Sequence, residues 1–483
     1  MKSADRATIR LAEAASGVDG YTLMKRAGAS VARELETLSC GFSRIVFLAG
    51  NGNNAGDAFV AAAQVDFPRV KVLMAQEPDS YRGEAASAWR EFGKFLDAEV
   101  RDTLRAGDLL PGDLVVDAIL GIGFHGEAVR APLDQWIGFV NASSLVVLSL
   151  DLPSGIDADT GVAAKTGAVS ATRTLTFGIP KTGLFRNDGE RLSGIVHFAD
   201  LGFPQIGGGM ELYTMVEAAR DLPRRVVDDH KKSCGSVLVS CGSCRYPGAG
   251  RLAATAALRG GAGYVTLATQ TKVNGLCAAL LVRQFSGAAE LKELFPGHDA
   301  LVAGCGWGEQ GIEMLQCALD FPGALLLDAD ALNLLARHPD AWKKRENVVL
   351  TPHPGEAKRL ATAFGIAETL PRDELALELA RKLHAVVLLK GSGTLVATPQ
   401  GEISRNTSGS PSLATAGSGD VLAGLIGALL ARKISPFTAA KLGAFLHGLC
   451  GEMVSAGLIA DDLPPLFGEA FEAVRRHGIV WRM

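Results

Sequence analysis

Cysteine is scarce in this chain: eight occur in 483 residues, without the spacing of a disulfide framework. That excludes a small stapled scaffold of the secreted type. One pair, Cys241-Gly242-Ser243-Cys244, has CxxC spacing, but no second CxxC or HxxxH completes a zinc site. Two small residues in a turn after the strand-like run Ser236 to Ser240 account for it more simply. Long apolar runs are also lacking. Leu145 to Leu150 and Val386 to Leu389 fall far short of the ~20 residues that a membrane span needs. Neither sign of charge dominates, since 48 basic and 52 acidic residues leave a net charge of -4. No general attraction to nucleic acid or to anionic membranes is expected. Met1-Lys2-Ser3-Ala4-Asp5-Arg6 is charged and has no apolar signal core. The expectation is a cytoplasmic location, with no nucleic-acid or membrane partner.

What is present is a folded, multidomain composition. Hydrophobic residues make up 48% and charged residues 21%, which argues against long disorder. Domains usually span ~100–200 residues, so two or three are expected. The 57 glycines cluster just after short apolar runs. Arg44 to Ala49 leads into Gly50-Asn51-Gly52-Asn53-Asn54-Ala55-Gly56-Asp57. Leu114 to Ile119 leads into Gly121-Ile122-Gly123, and Leu145 to Leu150 into Asp151-Leu152-Pro153-Ser154-Gly155. Helix-period stretches lie between, such as Ala58 to Gln64 and Ala85 to Phe95. Strand, glycine-rich loop and helix in alternation predict an α/β fold with a mostly parallel sheet, whose ligands bind at the carboxyl ends of strands. Residues 206–225, with Pro204 just before and Gly207-Gly208-Gly209 and Pro223 within, suit a linker, although Met210 to Arg220 could form a short helix. Beyond it the pattern restarts, predicting a second α/β domain over 226–483.

In the first half, Asn53 to Asp57 follows a strand-like run and precedes a helix, and backbone N–H groups at that helix start favour phosphate. Asp57 would repel that anion and suits an N-cap or a ribose hydroxyl better. Asp117 and Asp151 end strands, with Ser154 three residues beyond Asp151. Strand-end carboxylates beside glycine loops are acid/base groups, cation ligands or simple loop caps. The oxygen-only set of Asn54, Asp117 and Ser154 suits a hard cation such as K⁺, Na⁺ or Mg²⁺.

Asn53-Asn54-x-Gly56-Asp57, Val116-Asp117-Ala118 with Gly121-x-Gly123-Phe124, and Leu150-Asp151-Leu152-Pro153-Ser154-Gly155, in that order, resemble the NAD(P)H-hydrate epimerase domain over 1–205. The resemblance implies a Rossmann-like three-layer αβα domain. It implies that Asn53, Asn54, Ala55, Gly56 and Asp57, with Gly121, Ile122, Gly123, Phe124, His125, Gly126 and Glu127, cradle the hydrated dinucleotide. A K⁺ ion held by Asn54, Asp117 and Ser154 is implied too. Asp151 would contact the substrate and perform acid/base work at nicotinamide C6. Ala55 and Ala58 replace two glycines of the family pattern. Lys25 stands where the family has Glu in its first helix.

In the second half, Gly417-Ser418-Gly419-Asp420 precedes a helix whose Val421, Leu422, Leu425, Ile426, Leu429 and Leu430 share one face. Its exposed N–H groups make an anion hole, and Asp420 can take a proton from a hydroxyl. Lys390-Gly391-Ser392-Gly393-Thr394 is a nucleotide-contacting turn without Walker A spacing. Thr351-Pro352-His353-Pro354-Gly355-Glu356 ends a strand, and we favour ligand contact for His353. Asp328-Ala329-Asp330 ends another strand, and Asp330 could equally cap the helix Ala331 to Arg337.

With His230-Lys231, Gly235, Pro247-Gly248-Ala249, Ala303-Gly304-x-Gly306, Asp328 to Asn333 and Leu446-His447-Gly448, these motifs resemble the ADP-dependent NAD(P)H-hydrate dehydratases of the ribokinase-like superfamily, from Val226 to the end. The resemblance implies a ribokinase-like αβα domain. Ala249, Gly306, His353 and Asp420 would contact the hydrated dinucleotide, with Asp420 catalytic. Lys390, Gly391, Ser392, Gly393, Thr394 and Gly419 would contact ADP, the phosphoryl donor, with Mg²⁺ neutralising phosphate charge. Lys232, Cys241, Cys305 and Trp307 depart from the family pattern, and Trp307 is placed to narrow the pocket beside Gly306. Expected partners are hydrated NADH and NADPH, ADP and further copies of the chain in a homo-oligomer. Two other readings stand beside this one: a ribokinase-like small-molecule kinase with a regulatory N-terminal half, and a non-catalytic dinucleotide sensor.

Overall fold

The computed structural model describes residues 1–38, 40–204, 209–224, 226–308, 311–454 and 456–480. The chain divides into two compact units, Lys2–Met210 and Glu211–Met483 joined by Met1.

The first unit is built on seven strands: β1 (Arg44–Ala49), β2 (Val70–Met74), β3 (Ala98–Val100), β4 (Asp113–Ala118), β5 (Val146–Leu150), β6 (Arg173–Phe177) and β7 (Ile195–Ala199). Their order is β3-β2-β1-β4-β5-β6-β7, and every pairing is parallel. Central strands β1 and β4 are apolar along nearly their whole length because helices cover both faces. The order reverses between β1 and β4, which opens a crevice at their carboxyl ends. The helix Asn53–Gln64 starts in that crevice. Phe59 anchors it, packed edge-on against Tyr81 and Trp89 with ring centroids 5.2 and 5.1 Å away. Full burial of such a side chain contributes about 1.5–3 kcal/mol. The opposite layer is the helix Leu133–Ser143, which buries Trp136 and Ile137.

The second unit carries ten strands: β8 (Glu211–Tyr213), β9 (Ser236–Ser240), β10 (Tyr264–Thr269), β11 (Leu281–Gln284), β12 (Ala300–Ala303), β13 (Ala324–Leu327), β14 (Val348–Leu350), β15 (Val386–Leu389), β16 (Leu395–Ala397) and β17 (Ile403–Asn406). Their order is β11-β10-β9-β12-β13-β14-β15-β16-β17-β8. Only the β15–β16 and β16–β17 pairings are antiparallel among the described residues. Here the order reverses between β9 and β12. The helix Ser418–Ala431 is buried on all sides from Val421 to Ala431, beyond the single apolar face expected. Small residues allow this. A Cβ on Gly424 would stand 2.1 Å from the Ala253 carbonyl oxygen of the neighbouring helix Pro247–Arg259, so only glycine fits.

The stretch 206–225 differs from the linker expected. Glu211–Tyr213 forms β8, paired in parallel with β17, and Met215–Asp221 is a helix capped by Thr214 and Glu217. The helix falls largely within the Met210 to Arg220 stretch that the sequence allowed to be helical, whereas a three-residue strand is too short for periodicity to register among the flanking glycines and prolines. Gln205 to Gly208 and Arg225, part of that expected linker and its border, lie outside the described residues.

Candidate active sites

In the first unit, the side chains at the β1/β4 crevice are locked by hydrogen bonds. The Asn54 amide donates to the carbonyls of Leu120 (2.8 Å) and Leu150 (3.0 Å), which fastens three loops together. Asp117, fully buried, accepts four hydrogen bonds: from Ser154 Oγ (2.5 Å) and Ile119 N (3.2 Å) on one oxygen, and from Ser149 Oγ (2.7 Å) and Ser154 N (2.9 Å) on the other. Burial raises its pKa, and these donors work against the rise. Asn54, Asp117 and Ser154 are thus brought together as expected, around the Leu120 carbonyl. The donor set is all oxygen with one carboxylate, which fits a hard monovalent cation.

Asp151, one residue past β5, sits at φ 68°, a conformation that costs a non-glycine residue about 1–2 kcal/mol. It accepts a hydrogen bond from Phe177 N at 3.2 Å and an ion pair from Lys181, whose Nζ also donates to the Phe177 carbonyl at 2.8 Å. Lys181 is buried, with 3% of its side chain exposed. Sequence reasoning missed it. The signal was available, because Lys181 follows Gly178-Ile179-Pro180 at the carboxyl end of β6, where such sheets gather functional groups.

Asp57 corrects the sequence expectation. It lies within the helix Asn53–Gln64, whose N-cap is Gly52, so it does not cap the helix. The helix begins five residues before Ala58 because Asn53 to Gly56 supply its first turn. The Asp57 carboxyl is desolvated, and that burial with the neighbouring Asp151 carboxylate pushes its pKa well above the usual range, while Lys181 opposes the rise. A carboxyl whose proton affinity is raised thus lies beside one tied to a lysine.

The second cradle segment is less enclosed. The His125 ring meets the Gly123 carbonyl at 2.9 Å, Glu127 pairs with Lys165 at the surface, and the Phe124 carbonyl accepts from Arg6. Gly121 faces Asn54: a Cβ there would lie 3.2 Å from the amide carbon.

In the second unit, the centre is Lys390, just past β15. Its Nζ donates to Asp328 Oδ1 at 2.7 Å and lies 4.0 Å from Glu356 Oε2. Burial disfavours the ammonium, but the Asp328 and Glu356 carboxylates outweigh that and raise its pKa. Gly419, in the first turn of the helix Ser418–Ala431, has room for a Cβ only 3.5 Å from Lys390 Nζ. The lysine and the helix N-terminus therefore face one point, as anion recognition requires. Asp420 lies in the same turn. Burial, then repulsion by Asp328, pushes its pKa up to about 6, which suits a base working near neutrality. His447 Nε2 donates to the Ser418 carbonyl, 3.0 Å away, and burial lowers its pKa to about 4, so it is neutral at physiological pH. The turn Gly391 to Thr394 is flanked by Arg372, which donates to the Ser392 carbonyl at 2.9 Å, and by Arg405, whose guanidinium would lie 2.1 Å from a Cβ on Gly393. Neither arginine was singled out from the sequence, because each comes from an element distant along the chain.

His353 has both ring nitrogens engaged. Nδ1 accepts from Gly355 N at 3.0 Å while the His353 backbone N–H donates to Glu356 Oε2 at 2.8 Å, a capping box on the helix Pro354–Ala363, and Nε2 lies 3.3 Å from Glu356 Oε1. The cap is therefore a local role beside the ligand contact favoured from sequence. Asp330 does not cap its helix, whose N-cap is Ala329. It instead accepts from Gly308 N at 2.8 Å. Trp307 is turned inward, its indole donating to the Ser240 carbonyl at 2.7 Å, so it does not narrow the pocket. Ala249 and Gly306 lie side by side: a Cβ on Gly306, at φ +62°, would stand 2.7 Å from the Ala249 Cβ. Beside them opens a cleft of about 630 Å³ lined by Arg245, Tyr246, Asp330, Asn333 and Arg359. Cys241 is buried and Cys244 exposed, and both are free thiols.

Comparison with known proteins follows the same division. Residues 20–183 match the family described as YjeF-related protein N-terminus, and residues 237–470 match the family described as NAD(P)H-hydrate dehydratase. The bifunctional NAD(P)H-hydrate repair enzyme Nnr of Moorella thermoacetica is 37% identical over 481 residues, covering 92% of this chain and 90% of that protein. Its counterpart in Coxiella burnetii is 36% identical, covering 93% and 94%. A ribokinase-like superfamily protein from Enterococcus faecalis superimposes with a TM-score of 0.51 at 24% identity, covering 56% of this chain and 98% of that one, a likeness of fold.

Proposed function

From the premise that the chain belongs to the bifunctional NAD(P)H-hydrate repair enzymes, with an epimerase and a dehydratase activity in one polypeptide, we propose which residues perform each step. Residues 1–205 are the epimerase part and residues 226–483 the dehydratase part.

Inverting C6 of the hydrated ring requires a bond at that carbon to break and re-form, with one proton removed and another delivered. Asp151, ion-paired with Lys181, takes the proton from the C6 hydroxyl. As that proton leaves, the C6–N1 bond breaks to give an open-chain aldehyde and N1 takes a proton from the neighbouring Asp57; re-closure on the other face, with both transfers reversed, forms the other epimer. Asn53, Ala55, Gly56 and the segment Gly121 to Glu127 hold the dinucleotide, whose phosphates are favoured by the N-terminus of the helix Asn53–Gln64. Asn54, Asp117 and Ser154 would hold K⁺, which would supply a fixed positive charge.

In the second unit ADP gives its terminal phosphoryl group to the C6 hydroxyl. Asp420 takes the hydroxyl proton, and Lys390 with Gly419 holds the phosphoryl oxygens. Phosphate then leaves C6 with its electron pair as C5 loses a proton, which restores the C5–C6 double bond and yields AMP and phosphate. Hydroxide leaves poorly and phosphate well, which is the reason for the phosphoryl step. Mg²⁺, when bound, offsets the charge of the transferring group. Gly391, Ser392, Gly393 and Thr394 hold the donor nucleotide, with Arg372 and Arg405 beside them. Ala249, Gly306 and His353 hold the hydrate. The substrates are hydrated NADH and NADPH, and the enzyme works in the cytoplasm as a homo-oligomer.

The convergence of Lys390, Asp328, Gly419 and Asp420 carries this reading. The test is recovery of the reduced-nicotinamide absorbance from a mixture of both hydrate epimers with ADP, Mg²⁺ and K⁺. Wild type should recover all of it. Asp151→Ala should lose the accelerated second phase, and Asp420→Ala should recover none. No recovery by wild type with ADP or ATP would overturn the dehydratase chemistry.

A further inference from the structure

Two cysteines that depart from the family pattern stand at the second unit's topological switch point. Cys241 follows β9 directly, and Cys305 lies two residues past β12. These strands pair with Ser240 opposite Ala303, and the Gly242 N–H donates to the Cys305 carbonyl at 2.7 Å, so the two turns are tied together. The Cys305 thiol is fully buried beside the Cys241 thiol and the Asp420 carboxylate. Its Sγ lies 3.6 Å from Asp328 Oδ2. Lys390 occupies the other oxygen, Oδ1, which leaves Oδ2 facing the sulfur. One thiol and two carboxylates, those of Cys305, Asp328 and Asp420, place their ligand atoms within 4.8 Å of one another.

We propose that Cys305, Asp328 and Asp420 form a binding site for a thiophilic divalent cation of the Zn²⁺ type, with Cys241 as the hydrogen-bonding partner of the ligand sulfur. Three protein ligands with a fourth position left to water match the coordination that Zn²⁺ accepts. Mg²⁺ requires about six oxygens in near-octahedral array and has no affinity for sulfur, so this site is separate from any Mg²⁺ that accompanies a nucleotide. Three groups able to carry negative charge crowd around one point, with Lys390 as the cation beside them. Binding releases the Cys305 thiol proton to solvent as the sulfur–metal bond forms. An ion so held ties up the Asp420 carboxylate.

The test uses the full chain, freshly reduced and free of chelator, titrated with Co²⁺ alone as a spectroscopic stand-in for Zn²⁺. A near-ultraviolet thiolate-to-cobalt charge-transfer band should grow and saturate at one ion per chain, and Zn²⁺ should bleach it while excess Mg²⁺ leaves it. Cys305→Ser should abolish the band. Cys241→Ser should keep it with affinity weakened about 10- to 100-fold, as loss of a ligand's outer hydrogen bond does. Asp328→Asn, which leaves both thiols in place, should weaken it too, and the circular-dichroism spectrum of each variant checks its fold. No band in wild type would overturn the proposal. So would a band of undiminished strength in Cys305→Ser, since the exposed Cys40, Cys244 and Cys277 would then be its source. Neither result touches the reaction assigned above, because no substrate is present.

Discussion

The two sites sit at equivalent places, each at the carboxyl ends of strands where the sheet order reverses, yet they are built from opposite materials. The first holds carboxyls and amides with a single buried lysine locked onto Asp151. The second gathers Lys390, the N-terminus of a long buried helix and the flanking Arg372 and Arg405. The difference follows from what each must stabilise. Breaking and re-forming a bond at one carbon calls for one group to take a proton and another to deliver one. Moving a phosphoryl group calls for positive charge and aligned N–H dipoles, with one base of moderate strength. The same sheet topology thus serves either chemistry, and the strand-end side chains decide between them.

The sharpest way to break the comparison is to remove the base from one site and ask whether the other notices. Asp420→Asn should lower the dehydration rate about 10²- to 10⁴-fold, the usual contribution of a positioned base, and leave epimerisation intact in a coupled assay. In wild type the same group sets a pH limit. Because its pKa is raised to about 6, it is ionised above that value, so the dehydration rate should fall as pH drops through about 6. A flat profile from pH 5 to 8 would remove Asp420 from the role of base.

Lys181→Met comes next. It strips the buried Asp151 of its ion pair and should slow epimerisation by about 10²-fold or more, with dehydration of the pure S hydrate unchanged. Asp117→Asn puts an amide NH₂ against donors that now bond a carboxylate. It should cost the first unit about 1–3 kcal/mol, read as an earlier melting transition, and remove any stabilisation by added K⁺. The smallest effect is expected from His353→Ala. Loss of the helix cap should cost about 1 kcal/mol in denaturant unfolding. A rise in KM for the hydrate, with little change in melting, would instead show that the ring contacts substrate.

Much of this was legible in the chain. The glycine-rich segments after β1, β4 and β5 mark one crevice, and those around Lys390 and Gly417 mark the other, because turns at strand ends need the conformations that glycine permits. Asp57, Lys181 and β8 were not legible in their structural roles. Asp57 has the composition of a helix cap, and only the start of the helix at Asn53 moves it inside. Lys181 is a lone lysine after a proline until β6 is laid beside β5.

The sequence by itself determined two α/β units, their strand-end loops and most of the polar groups those loops carry. Local turn chemistry and apolar runs are written residue by residue, so they can be read without the fold. Tertiary structure alone decided which polar groups meet: Lys181 with Asp151, Lys390 with Asp328, Cys305 with Asp420. Those pairs join residues 30, 62 and over a hundred positions apart, and the parallel alignment of β5 with β6, and of β13, β14 and β15, brings the strand ends of the first two pairs together. Charge states follow from that meeting, because desolvation and the nearest charge set a pKa, and neither exists until the chain has packed.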